Sequence, residues 1–75
     1  MGFDIPAKTT AGHIAPCSGQ KMPLGGGAAP VAKYLHTSII ESVPDVERRG
    51  WVAWISNQGS SSARYYVWAV CANVS

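Results

Sequence analysis

The side chains able to do chemistry in this chain are few: two histidines, four carboxylates and two cysteines among 75 residues. His13 and His36, taken with Asp4, Glu41, Asp45 or Glu47, are the types from which an acid–base pair or a metal site is built. Their spacing assembles neither. There is no His-x-x-x-His pair, and nothing in the pattern orders these groups onto one face. Two histidines in so short a chain are ordinarily surface or strand-end residues. None of the serines sits in a Gly-x-Ser-x-Gly elbow. Gly25-Gly26-Gly27 invites a phosphate loop, but no Gly-Lys-Ser/Thr follows, no helix opens there, and Lys21 and Lys33 are misplaced for it. The expectation is a protein that is not an enzyme and holds neither a metal nor another cofactor. Asn73-Val74-Ser75 matches a glycosylation sequon, which at the last three residues reads as coincidence.

Cys17 and Cys71 lie near opposite ends of the chain. They are too far apart for a zinc knuckle, and two ligands do not close a metal site. As a disulfide they would close a loop of about 55 residues, worth on the order of 4 kcal/mol in the chain-entropy model. That is comparable to the whole stability of a domain this size. The other reading is a pair of reduced, buried small hydrophobes in a cytosolic protein.

Strands must position whatever site exists. Trp51 to Ser56 is β-branched and aromatic, bounded by Gly50 and by Asn57-Gln58-Gly59. Ala63 to Ala72 is the strongest strand signal, and the turn-forming residues Asn57 to Ser62 between the two predict an antiparallel hairpin. His36 to Val43 reads as a third strand, stopped by Pro44-Asp45, and Pro44 to Gly50 as a charged, solvated loop. Gln20 to Leu24 reads as a short strand whose Pro23 confines it to a sheet edge or a bulge. Lys8 to Ala15 is a further strand. The three glycines that follow Leu24 imply a bulge, or backbone packed tightly against a large side chain. No segment keeps helical periodicity over three turns. The expected fold class is all-β, a small antiparallel sandwich or open barrel of about five short strands in a single domain, residues 1–75.

Composition narrows the function. Only 13% of residues are charged against 47% hydrophobic, where average domains carry about 25% charged residues. A core this small is marginal, so a disulfide, a metal or association with copies is the usual remedy. No apolar run approaches the ~20 residues of a membrane helix. Six scattered basic residues against four acidic ones are not a nucleic-acid footprint. The opening Met1-Gly2-Phe3-Asp4-Ile5-Pro6 lacks the basic and long apolar regions of a signal peptide, so the expectation is either a protein not exported by that route or, the favoured reading, a domain cut from a longer chain.

Alternation then assigns the faces of the expected hairpin. With Cys71 as the inward marker, Trp51, Ala53 and Ile55 face inward together with Tyr65, Val67 and Ala69. That leaves Trp54, Tyr66, Trp68, Val52 and Val70 on one outer face, which is not a normal solvent face. Three readings compete for it: cover by another part of the chain such as Phe3-Asp4-Ile5, a subunit interface, or a platform for a sugar ring or other flat ligand. The low charge favours the interface.

The motifs taken in order, Cys17, Leu24-Gly25-Gly26-Gly27, Ser42-Val43-Pro44, Gly50-Trp51, Asn57 and Trp68-Ala69-Val70-Cys71-Ala72-Asn73, resemble a small β domain of bacterial and phage proteins. Gly2-Phe3-Asp4-Ile5 also looks like that family's opening, so the resemblance covers nearly the whole chain. Such domains close the carboxyl end of secreted, surface, collagen-like or tail-fibre proteins. The resemblance implies paired cysteines, no catalytic residues, and a homotrimer at the end of a stalk, extracellular, on a cell surface or on a virion. Two departures stand out: Cys17-Ser18-Gly19-Gln20 with Pro23 where relatives carry Cys-Pro-x-Gly and an unbroken strand, and Trp54 where they carry a polar residue. The expected function is a fibre-tip adhesion domain that trimerises and presents loops to a cell-surface receptor, for which a glycan is a candidate. Asp45, Glu47, Arg48 and Arg49 are the candidate receptor loop. The alternative is a monomeric carbohydrate-binding, lectin-like module that stacks sugars on Trp54, Tyr66 and Trp68. No nucleic-acid partner and no membrane insertion are expected.

Overall fold

The ten residues of Ala63–Ala72 alternate buried and exposed without a break through Trp68, the period-two pattern of a strand lying between core and solvent. The computed structural model describes residues 1–73, and among them there is no helix. Six strands make up the domain: β1 (Gly2–Ile5), β2 (Thr9–Pro16), β3 (Met22–Pro30), β4 (Thr37–Asp45), β5 (Gly50–Asn57) and β6 (Ala63–Ala72). They form two antiparallel three-stranded sheets, sheet A in the order β1-β6-β3 and sheet B in the order β2-β5-β4. The fold is all-β, as expected. The sixth strand is Gly2–Ile5, which the sequence pattern leaves out because four residues show too little alternation.

The β5–β6 hairpin expected from sequence does not form. The two strands occupy the centres of different sheets, and the connection at residues 58–62 crosses from one to the other. Asn57 supplies the reason. It is 1% exposed, and its Nδ2 donates to the carbonyls of Ile5 and Ser61, each at 2.9 Å. Its Oδ1 accepts the Gly59 N–H at 2.9 Å. One buried amide thus ties the end of β5 to β1 of the opposite sheet and holds the connection as an arch. The hairpin that does form joins β4 to β5, with Arg49 in a left-handed conformation (φ 51°) at its turn.

The inner faces carry the core: Ile5, Ala15, Ala53, Ile55, Ala63, Tyr65 and Val67, with Phe3, Trp51 and Ala69 packed against it. The inward set assigned from sequence therefore holds, although its strands come from opposing sheets. The sheets approach closely at Gly26, where an added Cβ would run into the Trp51 ring and the Trp68 carbonyl oxygen. Trp51 is fixed there by donating Nε1–H to Ser42 Oγ at 2.7 Å. The Pro23 expectation also holds: β3 is an edge strand, with a bulge between Pro23 and Gly25. Cys17, just past β2, and Cys71, on β6, form a disulfide with a Cα–Cα separation of 5.9 Å. It staples sheet B to sheet A at one end, while Asn57 ties them at the other.

The sandwich is long and thin, 46 × 19 × 15 Å, with a radius of gyration of 13.0 Å, where a compact chain of this length would have about 11 Å. A thin slab has little interior. Among the described residues, twelve large apolar side chains stay exposed while seven hydrophobic residues, three of them alanine, are buried.

Candidate functional site

Because β5 and β6 lie in different sheets, the aromatic outer face expected from sequence is split in two. Tyr66, Trp68 and Val70 point outward from sheet A, whereas Val52 and Trp54 point outward from sheet B, on the opposite side of the slab. The chain end Phe3-Asp4-Ile5 covers neither. It pairs with β6 as an edge strand, and Phe3 turns inward to stack on His13 at a centroid distance of 4.3 Å.

The outer face of sheet A is apolar along β6. Tyr66 (51% exposed), Trp68 (46%) and Val70 (55%) rise from β6, and their partners on β3 are the small residues Ala29, Gly27 and Gly25. Trp68 lies over Gly27, with Cζ2 2.8 Å from where a Cβ would sit. Leu24, left without a partner by the bulge beside Gly25, is exposed as well. Charge enters at one end, where Arg64 Nη1 donates to Asp4 Oδ1 at 3.0 Å.

The outer face of sheet B is grooved and acidic. Trp54 pairs with Gly12 on one side and Glu41 on the other. A Cβ on Gly12 would fall 2.5, 2.7 and 2.8 Å from Cε2, Cδ2 and Cζ2 of the indole. Three ring atoms at nearly equal distance mean that the ring lies on Gly12 by its face. Beside it runs a groove of about 480 Å³ lined by Trp54, Val52, Glu41, Val43 and the β4–β5 turn. The groove brings together two sets that the sequence treats separately: Trp54 and Val52 from the aromatic face, and Asp45, Glu47 and Arg48 from the charged loop. Arg49 is not among its lining residues; its carbonyl instead accepts the Cys17 N–H at 2.7 Å. Glu41 and Gly12 were missed as site residues. They become visible only through register, since Gly12 is distant in sequence and a bulge at Ile40 sets the phase of Glu41.

The turn is ordered by its own acid. Asp45 Oδ1 accepts the Arg48 N–H at 3.1 Å, and Asp45 Oδ2 stands 3.8 Å from Arg48 Nη1. On the far side of Trp54 a smaller hollow of about 210 Å³ is lined by Thr10, Ile40, Glu41 and Trp54. Ser56 Oγ nearby accepts hydrogen bonds from Gln58 Nε2 at 2.9 Å and Thr10 Oγ1 at 3.4 Å.

The histidines are not brought together. His13 stands on the inner side of β2 opposite Ala53, with its Nε2 buried and unpartnered, while His36 precedes β4 and its carbonyl accepts the Gln58 N–H. Among the described residues no three His, Cys, Asp or Glu side chains are placed to hold a metal ion. Of the sequon, Val74 and Ser75 lie outside the described residues. Set against protein-family models, curated proteins and solved structures, the chain matches none.

Proposed function

We propose that this chain is a non-enzymatic, disulfide-closed tip module of an extracellular fibre, which assembles with copies of itself and presents its remaining surface to a receptor. The observation that carries the reading is the exposed apolar row of Tyr66, Trp68 and Val70 on sheet A, set beside small residues of β3. A monomer with so small a core does not stabilise itself by exposing such a row, and interface cores are enriched in aromatics and depleted in charge. The Cys17–Cys71 disulfide supports an oxidising, extracellular setting. A homotrimer is the stoichiometry implied by the resemblance to fibre-tip domains, and its symmetry would repeat each weak receptor contact for avidity. Light scattering on the oxidised chain tests it. A mass of about 24 kDa, three chains of 7.9 kDa, supports the reading. A monomer that persists at high concentration sinks it.

The second reading, a monomeric carbohydrate-binding module, is favoured by one observation: the exposed Trp54 ring beside Glu41 and the groove. Tyr66 and Trp68 no longer share that platform, so the two readings rest on different residues. The mass of the sugar-binding species in light scattering separates them: a 7.9 kDa monomer under the second reading, an assembly under the first.

A further inference from the structure

The groove on sheet B carries a charge of its own. We infer, resting on the reading that the module presents a receptor-binding surface, that this groove is a subsite for a pyranose sugar without negative charge, a neutral hexose or an amino sugar. The sugar lies on the free face of Trp54 with its hydroxyl or ammonium groups turned to Glu41.

Three observations converge. The indole is spread on Gly12 by one face, and Trp54 remains 43% exposed, so the other face is a flat apolar plate on the sheet. A plate of that kind suits the C–H face of a pyranose ring. Glu41, the partner of Trp54 in β4, brings an acceptor-only carboxylate to the edge of the plate. Among the described residues it forms no ion pair, those present being Arg48–Asp45 and Arg64–Asp4.

Charge selects the ligand. The chain as a whole has a net charge of +2 and four acidic residues, yet Glu41, Asp45 and Glu47 all line this one groove. The single guanidinium there, Arg48, is engaged by Asp45. The excess of carboxylates favours a neutral or protonated ligand and repels a sugar carboxylate. Hollows on both sides of Trp54 give room for neighbouring units of one glycan chain, with Thr10 at the rim.

The test uses the full, oxidised chain labelled with 5-fluorotryptophan, in which Trp51, Trp54 and Trp68 give three fluorine resonances. The probes are oligosaccharides of glucose, galactose, mannose and N-acetylglucosamine, then glucosamine, N-acetylneuraminic acid and tetralysine. We expect at least one neutral or amino sugar to move the Trp54 resonance alone. Trp54→Ala should weaken its binding at least about tenfold, the weight of an aromatic anchor, and Trp54→Phe should retain part of it. Glu41→Gln should narrow the preference over N-acetylneuraminic acid. A Trp54 resonance silent to the whole sugar set overturns the inference. So does a response at Trp68, equal affinity for the anionic sugar, or tighter binding of tetralysine than of any sugar. Light scattering on the same samples separates the two proposals: a trimer that ignores every sugar refutes the groove alone, and a sugar-binding monomer refutes the assembly alone.

Discussion

Replacing Gly25, Gly26 and Gly27 by alanine one at a time probes the packing of the sandwich, because the three new Cβ atoms enter different environments. None of the three glycines has a left-handed φ, so alanine is conformationally allowed at each. In a strand it is then worth about 0.5–1 kcal/mol over glycine. At Gly25 nothing lies within 4 Å of the new Cβ, and the gain should appear in full. At Gly27 the Cβ meets Trp68 Cζ2 at 2.8 Å. That ring is on the outer face and half-exposed, so it can tilt, and the change should be close to zero. At Gly26 the Cβ meets the Trp51 ring and the Trp68 carbonyl oxygen. The oxygen belongs to the sheet A backbone and the ring is held by Ser42, so neither yields freely. Overpacking there costs about 1–3 kcal/mol, which outweighs the gain.

Gly25→Ala and Gly26→Ala should therefore differ by about 2 kcal/mol, a large part of the ~4–11 kcal/mol expected for a chain of this length. Urea unfolding of the oxidised chain, followed by tryptophan fluorescence, resolves a gap of that size as a midpoint shift of ~1 M or more. Measuring at two protein concentrations separates folding from assembly, since association makes the midpoint concentration-dependent. A Gly26→Ala midpoint equal to or above that of Gly25→Ala would refute the close approach of the two sheets.

Other consequences are checked in the same way. Cys17→Ser with Cys71→Ser should cost on the order of 4 kcal/mol by freeing the closed loop, read as loss of cooperative unfolding, and free thiols in the non-reduced native chain would contradict the staple. Asn57→Asp removes the amide that donates to Ile5 and Ser61 while keeping an acceptor for Gly59. It should destabilise by about 2–3 kcal/mol, more than a surface change, because the buried Ile5 carbonyl and the part-buried Ser61 carbonyl lose their donor. Trp68→Glu should abolish assembly or weaken it at least about tenfold, while Trp54→Glu should leave the mass in light scattering unchanged. Equal effects from the two would mean that the sheets do not separate the faces as described.

Fold class, the positions of β2, β4, β5 and β6 and the inward set can be read from alternation, because burial on one side of a strand imposes period two on the residues themselves. By contrast, β1 is too short to show it, and β3 runs on past the expected end at Leu24 through the glycines to Pro30. Pro23 and the glycine run also declare their bulge and close packing through what their backbones permit. Sheet membership cannot be read this way. A connection of Gln58, Gly59 and three serines suits a hairpin and an arch equally, and the deciding contact is between Asn57 and Ile5, 52 residues apart. The candidate site inherits that error and its cure. Trp54, Val52, Asp45, Glu47 and Arg48 are each visible as unusual residues, but their convergence depends on the β4–β5 hairpin and its bulge at Ile40. Glu41 is unremarkable until register sets it beside Trp54.

The separation of the two faces changes what the low charge means. On one continuous aromatic face, assembly and ligand binding would compete for the same tryptophans. On opposite faces of a slab 15 Å thick along its thinnest axis, each has its own surface, and the chain divides its charge accordingly. Sheet A's outer face carries the pair Asp4–Arg64 at one end, whereas sheet B's groove gathers three of the four side-chain carboxylates. If copies meet through sheet A, every groove on sheet B is left facing outward. One assembly then offers several Trp54 plates at fixed spacing to a glycan-covered surface. Weak binding at each groove is compatible with firm attachment of the whole, because linked sites convert later contacts into intramolecular ones. A variant that stays monomeric through Trp68→Glu should accordingly keep its single-site sugar affinity at Trp54 and lose retention on a multivalent glycan surface. Equal retention of monomer and assembly on that surface would break the link between the two faces.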